Sequence, residues 1–287
     1  MTERPHVGLH YVATPESMGV VEFAAAAEAR GFEGLFLPEH THIPVSRATP
    51  YPGGVEMPDK YTRVWDPYVA LSFVAATTSL TVGTCVSLPG EHDAIALAKT
   101  VATLDQLSHG RMILGVGYGW NREEFEDHGY DRADLRAVVR EKVALMRALW
   151  TEDVASFEGD HVTLSPSWAW PKPAQQPYPP VLLGVPATQQ HFAELVEWAD
   201  GWIPMAMPTA DELAPDVARL RRAWDLAGRD TATLRIAAMQ LADPARLERE
   251  LDAFADMGVG WLMIDIPTAD ADELLPLLDD LSRVVPT

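Results

Sequence analysis

A chain of 287 residues with 47% hydrophobic side chains has the material for one α/β barrel or two smaller domains. Its net charge of -20 argues against nucleic acid or an anionic membrane as partner, because both are polyanions. One cysteine, Cys85, excludes an intramolecular disulfide and a cysteine-based zinc site, and it reads as a small buried strand residue. No apolar run nears the roughly 18 residues of a membrane helix. Met1–Val12 also lacks a signal-peptide core, so a cytoplasmic protein acting on a small molecule is expected.

In chain order, His6 to His10 reads as a first strand. Ser17 to Arg30 is alanine-rich with helical periodicity, and Gly31 stops it. Glu33 to Leu37 is a second strand, followed by Pro38, Glu39 and His40. Thr41 to Arg63 is long and irregular, and loops of that length are usually functional. Asp66 and Pro67 make a good helix start, an N-cap followed by proline at the first helical position. That helix runs to about Thr77, before a third strand from Leu80 to Val86. A helix from Asp93 to Leu107 leads through His109 and Gly110 into a fourth strand, Met112 to Val116. This strand is apolar on consecutive positions, the mark of a parallel strand buried on both faces.

The fourth strand runs straight into Gly117-Tyr118-Gly119-Trp120-Asn121, where Asn121 is placed to cap a short helix. Asp131 to Leu149 is an amphipathic helix. Thr151 to Pro180 reads as an irregular insertion, because its last part is too proline-rich for regular structure. Strands follow at Val181 to Leu183, Trp202 to Met205, Leu234 to Leu241 and Trp261 to Ile266, separated by helices. Strict alternation of eight strand–helix units implies a closed (β/α)8 TIM barrel. It would be one domain over residues 1–287, with insertions at about 41–65 and 151–180. An open doubly wound sheet is the runner-up, but no GxGxxG follows the first strand.

Such a barrel builds its active face from the loops after the strands. Those loops hold His10, Glu39, His40, His42, Ser87, the 117–121 loop, Glu124, Gly184 to Thr188, Met205 to Met207, Gln240 and Asp265. The mouth they form is apolar with aromatics, which suits a planar organic cofactor better than a metal, and no metal site is expected. Ser87 lacks the G-x-S-x-G context of a hydrolase elbow. Glu123 and Glu124 read as a solvated first helical turn, where the dipole favours carboxylates. The alternating glycines Gly115, Gly117 and Gly119 favour close approach of a ligand to the backbone. Trp120 serves packing or ring contact equally well.

The segment ALAKTVATLDQLSHGRMILGVGYGWNREEFEDHG, residues 96–129, resembles the signature of the bacterial luciferase-like monooxygenase family. More narrowly, it resembles the actinobacterial oxidoreductases that use the deazaflavin coenzyme F420. Leu37-Pro38-Glu39-His40, the run from Pro171 through Gly184, and Ala199-Asp200-Gly201-Trp202 resemble further pieces of that family. The resemblance implies a luciferase-like TIM barrel that binds F420, or alternatively FMN, at the strand C-terminal ends. It implies hydride transfer between that ring and a small, largely apolar substrate, and often a homodimer. His40 would donate or accept the proton, with Glu39 either beside it in that role or anchoring it. An imidazole suits such work because its unperturbed pKa lies near neutrality.

Cys85, Val86 and Ser87 correspond to a bulge with a non-proline cis peptide that backs the ring in F420 relatives. Gly117, Tyr118, Gly119, Trp120 and Asn121 would line the ring or its side chain. Gly184, Val185, Ala187 and Thr188 correspond to the phosphate loop after the fifth strand. There the chain departs from the family: Val185 replaces a second glycine, Pro186 removes an N–H donor, and no arginine is near in sequence. Two alternatives follow, an FMN-dependent monooxygenase and a barrel that binds a flavin or lipophilic ligand without catalysis.

Overall fold

The computed structural model describes residues 4–285. In chain order it runs β1 (His6–Tyr11), α1 (Val20–Glu28), β2 (Gly34–Leu37), α2 (Pro67–Thr77), β3 (Thr81–Ser87), α3 (Ala94–Leu107), β4 (Met112–Val116), α4 (Arg122–Asp127) and α5 (Leu135–Thr151). Then come β5 (Ala155–Glu158), β6 (Thr163–Ser167), β7 (Val181–Val185), α6 (Gln189–Trp198), β8 (Gly201–Pro204), α7 (Ala210–Leu226), β9 (Arg235–Leu241), α8 (Pro244–Asp256), β10 (Trp261–Ile266) and α9 (Ala271–Ser282). Eight parallel strands close in the order β1-β10-β9-β8-β7-β4-β3-β2. This is the (β/α)8 barrel read from the strand–helix alternation.

Alternate strand positions divide the core into two layers. Outward residues such as Leu35, Leu37, Met112, Leu114, Val181 and Leu183 are buried beneath the helices. Inward residues Phe36, Ile113, Leu182, Ile203, Ala237 and Met263 fill the barrel itself. Phe36 is the plug. A Cβ on Gly8 would lie 2.8 Å from its ring, and one on Gly83 2.6 Å, so glycines on the neighbouring strands make room for that ring. Trp261 meets Phe36 edge-on at 5.3 Å. The plug fills the N-terminal end of the barrel, and the other end stays open.

Aspartates open several of the helices, Asp66 where its place ahead of Pro67 foretold it. Asp66, Asp93 and Asp243 each accept from the backbone N–H three residues on. The first helix is shorter than its periodicity suggested. Ser17 turns back onto Thr14, and Gly19 sits at the N-cap, so the helix starts only at Val20.

The 151–180 insertion is not wholly irregular: β5 and β6 pair as an antiparallel hairpin. Glu141 on α5 holds its turn by accepting from the N–H groups of Asp160 (3.1 Å), His161 (2.8 Å) and Val162 (3.2 Å). The proline-rich remainder is pinned by Gln175. Its backbone N–H and side-chain amide both donate to the fully buried Asp105.

Candidate active site

The open end of the barrel holds a cavity of about 500 Å³. Of the residues singled out from sequence, Glu39, His40, Cys85, Val86, Gly117, Tyr118, Gly119, Trp120, Gly184 and Val185 line it. Ser87, Asn121, Ala187 and Thr188 are not part of that lining. Each of the three polar ones has another task. Ser87 donates to Glu39 and accepts from Tyr68, Asn121 caps α4, and Thr188 caps α6.

His40 follows β2, with its side chain 7% exposed. Its Nδ1 lies 2.8 Å from Oε2 and 3.1 Å from Oε1 of Glu124. The indole N–H of Trp120 donates to its Nε2 at 3.3 Å. An indole only donates, so this pairing requires the tautomer with the proton on Nδ1 and the lone pair on Nε2. Tyr61 meets the ring edge-on at 5.5 Å, and Tyr51 joins Tyr61 by a 3.0 Å hydroxyl hydrogen bond.

Glu124 is therefore not part of a solvated helical turn. It is fully buried, and it also accepts from the Thr41 N–H. Its neighbour Glu123 is half-buried and accepts from Thr49 N–H and Ser46, which hold its carboxyl down at about 2. Glu123 and Glu124 thus both fasten the loop after β2.

Glu39 is committed elsewhere. Its Oε2 accepts from Ser87 Oγ (2.8 Å) and the Leu88 N–H (2.6 Å), and its Oε1 from His92 Nε2 (2.8 Å). Burial opposes charge on His92, but the Glu39 carboxylate more than offsets it, and the imidazole pKa is raised. Glu39 ties the end of β2 to the turn after β3.

That turn shapes the cavity wall. The register of β3 against β4 shifts between Thr84 and Ser87, and the Cys85–Val86 peptide is cis, where the family resemblance implied it. Val86 projects its methyls over two glycines. A Cβ on Gly117 would lie 2.5 Å from Val86, and one on Gly184 2.6 Å. Gly117 and Gly184 therefore seat a side chain of the protein, and Gly115 clears the carbonyl of Thr84. The close approach expected of a ligand at Gly115 and Gly117 is thus made by the protein itself. Gly119 alone of the three has positive φ, +68°, and turns the loop.

Opposite, His10 Nδ1 is 2.6 Å from Asp265 Oδ1, and its Nε2 has no partner among the described residues. Cys85 is no nucleophile here, since burial pushes its thiol up to about 12. Met205, Met207 and Met239 complete an apolar rim.

The loop after β7 gains a cation that its own sequence lacks. Arg136, on α5, donates to Glu194 Oε1 (2.5 Å) and to His191 Nε2 (2.8 Å) beside the start of α6. His191 Nδ1 donates in turn to the Pro186 carbonyl. The N–H groups of Gln189 and Gln190 open α6 and have no acceptor within the helix.

The luciferase-like monooxygenase family model matches residues 4–272. The chain belongs to that family. A protein of Mycobacterium tuberculosis is 41% identical over 283 residues, covering 96% of this chain and 97% of its own. Among solved structures, an F420-dependent secondary alcohol dehydrogenase in complex with an F420-acetone adduct superposes with a TM-score of 0.77. Its identity is 17%, with 99% of each chain covered. The oxygenating constituent of the 3,6-diketocamphane monooxygenase of Pseudomonas putida, in complex with FMN, gives 0.70 at 14% identity, covering 98% of this chain and 97% of its own. Both likenesses bear on the fold. Among the described residues no helix is long and apolar enough to cross a membrane.

Proposed function

We propose that this luciferase-like protein is an F420-dependent oxidoreductase acting on a small, largely apolar substrate with a hydroxyl or carbonyl group. The observation that carries the reading is His40 at the wall of an apolar cavity, with Nδ1 held by the buried Glu124. Its Nε2 is the nitrogen on offer to a substrate oxygen, which would replace Trp120 as its partner.

The residues present fit a deazaflavin. The Val86 shelf over Gly117 and Gly184 gives a flat apolar backing. Arg136, held in place by His191, and the first N–H groups of α6 supply donors for an anionic tail, in place of those lost to Val185 and Pro186. Bound there, F420 supplies hydride transfer. The protein's part is to orient the substrate between Val86 and His40, exclude water with the methionine rim, and move one proton at His40 Nε2. Glu39 acts as a positioning residue for the wall. Asn121 and Thr188 serve by holding the loops that line the site.

The FMN reading is kept because the same shelf suits a flavin. Titration of the purified chain with F420 and with FMN, read by fluorescence, separates the two. Micromolar binding of F420 with weaker FMN supports the proposal, and the reverse order transfers the protein to oxygen chemistry. Binding of neither would leave a non-catalytic barrel. A homodimer belongs to the same reading, and a monomer by light scattering would remove it.

A further inference from the structure

Behind His40 lies a second buried acid that the cavity does not touch. Glu91 ends the short turn after β3, with its side chain 3% exposed. Lys142 Nζ fixes that turn by donating to the carbonyls of Gly90 (2.8 Å) and His92 (2.7 Å). Glu91 is hydrogen-bonded to Glu124, and its Oε2 accepts from Thr41 Oγ1 at 3.1 Å. The same hydroxyl lies 2.9 Å from His128 Nε2 and 3.0 Å from His42 Nδ1. His42 Nε2 meets Asp127 at 3.0 Å, and the two are 41% and 62% exposed. From Glu91 outward, each link to the surface is thus 3.1 Å or shorter.

We infer that Glu124, Glu91 and Thr41 form a proton relay joining His40 to the surface at His128 and His42. The inference rests on the reading of His40 as the group that exchanges a proton with substrate. In the oxidation direction, a substrate hydroxyl gives its proton to Nε2. The Nδ1 proton passes to Glu124, and the proton of Glu91 passes to the Thr41 oxygen. The threonine hydroxyl, which rotates freely about its C–O bond, passes its own proton to a surface imidazole. Reduction runs the same moves in reverse, with no charge left on the buried imidazole. Two carboxyl groups in hydrogen-bond contact hold one proton between them, because burial and the neighbouring charge oppose ionising both. Burial, then Glu124, then Glu39 push Glu91 up to about 9, so Glu91 keeps that proton at neutral pH while Thr41 pulls the other way. The other charged groups facing Glu91 are Lys142 on α5, Arg132 ahead of it, and His128. Glu91 and Glu124 act through His40 and are positioning residues in this scheme.

The test uses the full unloaded chain, so that it does not depend on turnover. Infrared spectroscopy should show the carbonyl stretch of a protonated carboxylic acid at neutral pH. The band should disappear in Glu91→Gln, persist in Glu123→Gln, and titrate out of the wild type near about pH 9. With ¹⁵N-labelled histidine, exchange of the His40 Nδ1 proton with solvent should slow about tenfold in Glu91→Gln and in Thr41→Val. The second variant reports if the first fails to fold. A spectrum without the acid band, a band that survives Glu91→Gln, or unchanged exchange in both variants would overturn the relay. Failure to bind F420 or FMN would overturn the proposed function and leave these readouts standing.

Discussion

Replacing Glu91 by glutamine should reshape the pH dependence of stability over a window set by this one carboxyl. In the folded chain it is pushed up from 4.5 to about 9. Below about pH 4.5 folded and unfolded chains both keep the proton, and Glu91 costs nothing. As the pH rises above that value, the unfolded chain releases a proton that the folded chain retains. Stability then falls by at most about 1.4 kcal/mol per pH unit until the folded carboxyl also ionises. Between about pH 5 and 7 the ceiling is therefore about 3 kcal/mol, and sharing of the proton with Glu124 brings the expected loss to about 1–2 kcal/mol. Lys142 has the opposite slope in a different window. Burial lowers it to about 8, so its penalty is relieved only as the pH climbs above that value. Urea unfolding of wild type and Glu91→Gln at several pH values isolates the effect of the Glu91–Glu124 pair, since the groups not coupled to it cancel in the difference. The variant should gain on the wild type steadily from about pH 5 to 7. Parallel curves across that range would refute the assignment of the proton to Glu91.

Glu124→Gln keeps the shape beside His40 but removes the carboxylate that takes up the Nδ1 proton. We expect a loss in kcat of about a hundredfold with little change in KM, read by steady-state kinetics. Gly117→Ala drives a methyl into Val86, whose Cγ2 lies 2.5 Å from the new atom. It should cost about 1–3 kcal/mol in denaturant unfolding and weaken cofactor binding. Phe36→Ala empties the barrel plug and should cost about 3–5 kcal/mol in the same assay, with the cavity wall around His40 kept in place.

The barrel was legible because its signals are local. The unbroken apolar run of Met112 to Val116, the aspartate caps at 66, 93 and 243, and the glycines that stop α1 and α3 all act within a few residues. The hairpin β5–β6 escaped notice because Ala155 and Leu164 are its only buried residues, too few to show a period of two. The site was legible only in outline. Which of Glu123 and Glu124 is buried depends on which side of a six-residue helix meets the loop after β2, and the sequence REEFED carries no sign of that. Arg136 reaches the β7 loop from a helix some fifty residues earlier in the chain, and Tyr51 and Tyr61 come from a segment without periodicity. The glycines were readable as places of close approach. What approaches two of them is Val86 and the carbonyl of Thr84, which only the register shift in β3 reveals.

The central claim is that this cavity moves a hydride and that His40 moves the accompanying proton. The most direct measurement follows the absorbance of F420 under anaerobic conditions with a panel of small apolar alcohols, and of reduced F420 with the matching ketones, for wild type and His40→Ala. The account predicts turnover by the wild type on at least one pair and a loss of about 10²–10⁴-fold in kcat in the variant. Equal turnover in His40→Ala, or no F420 chemistry alongside oxygen consumption with reduced FMN, would contradict it.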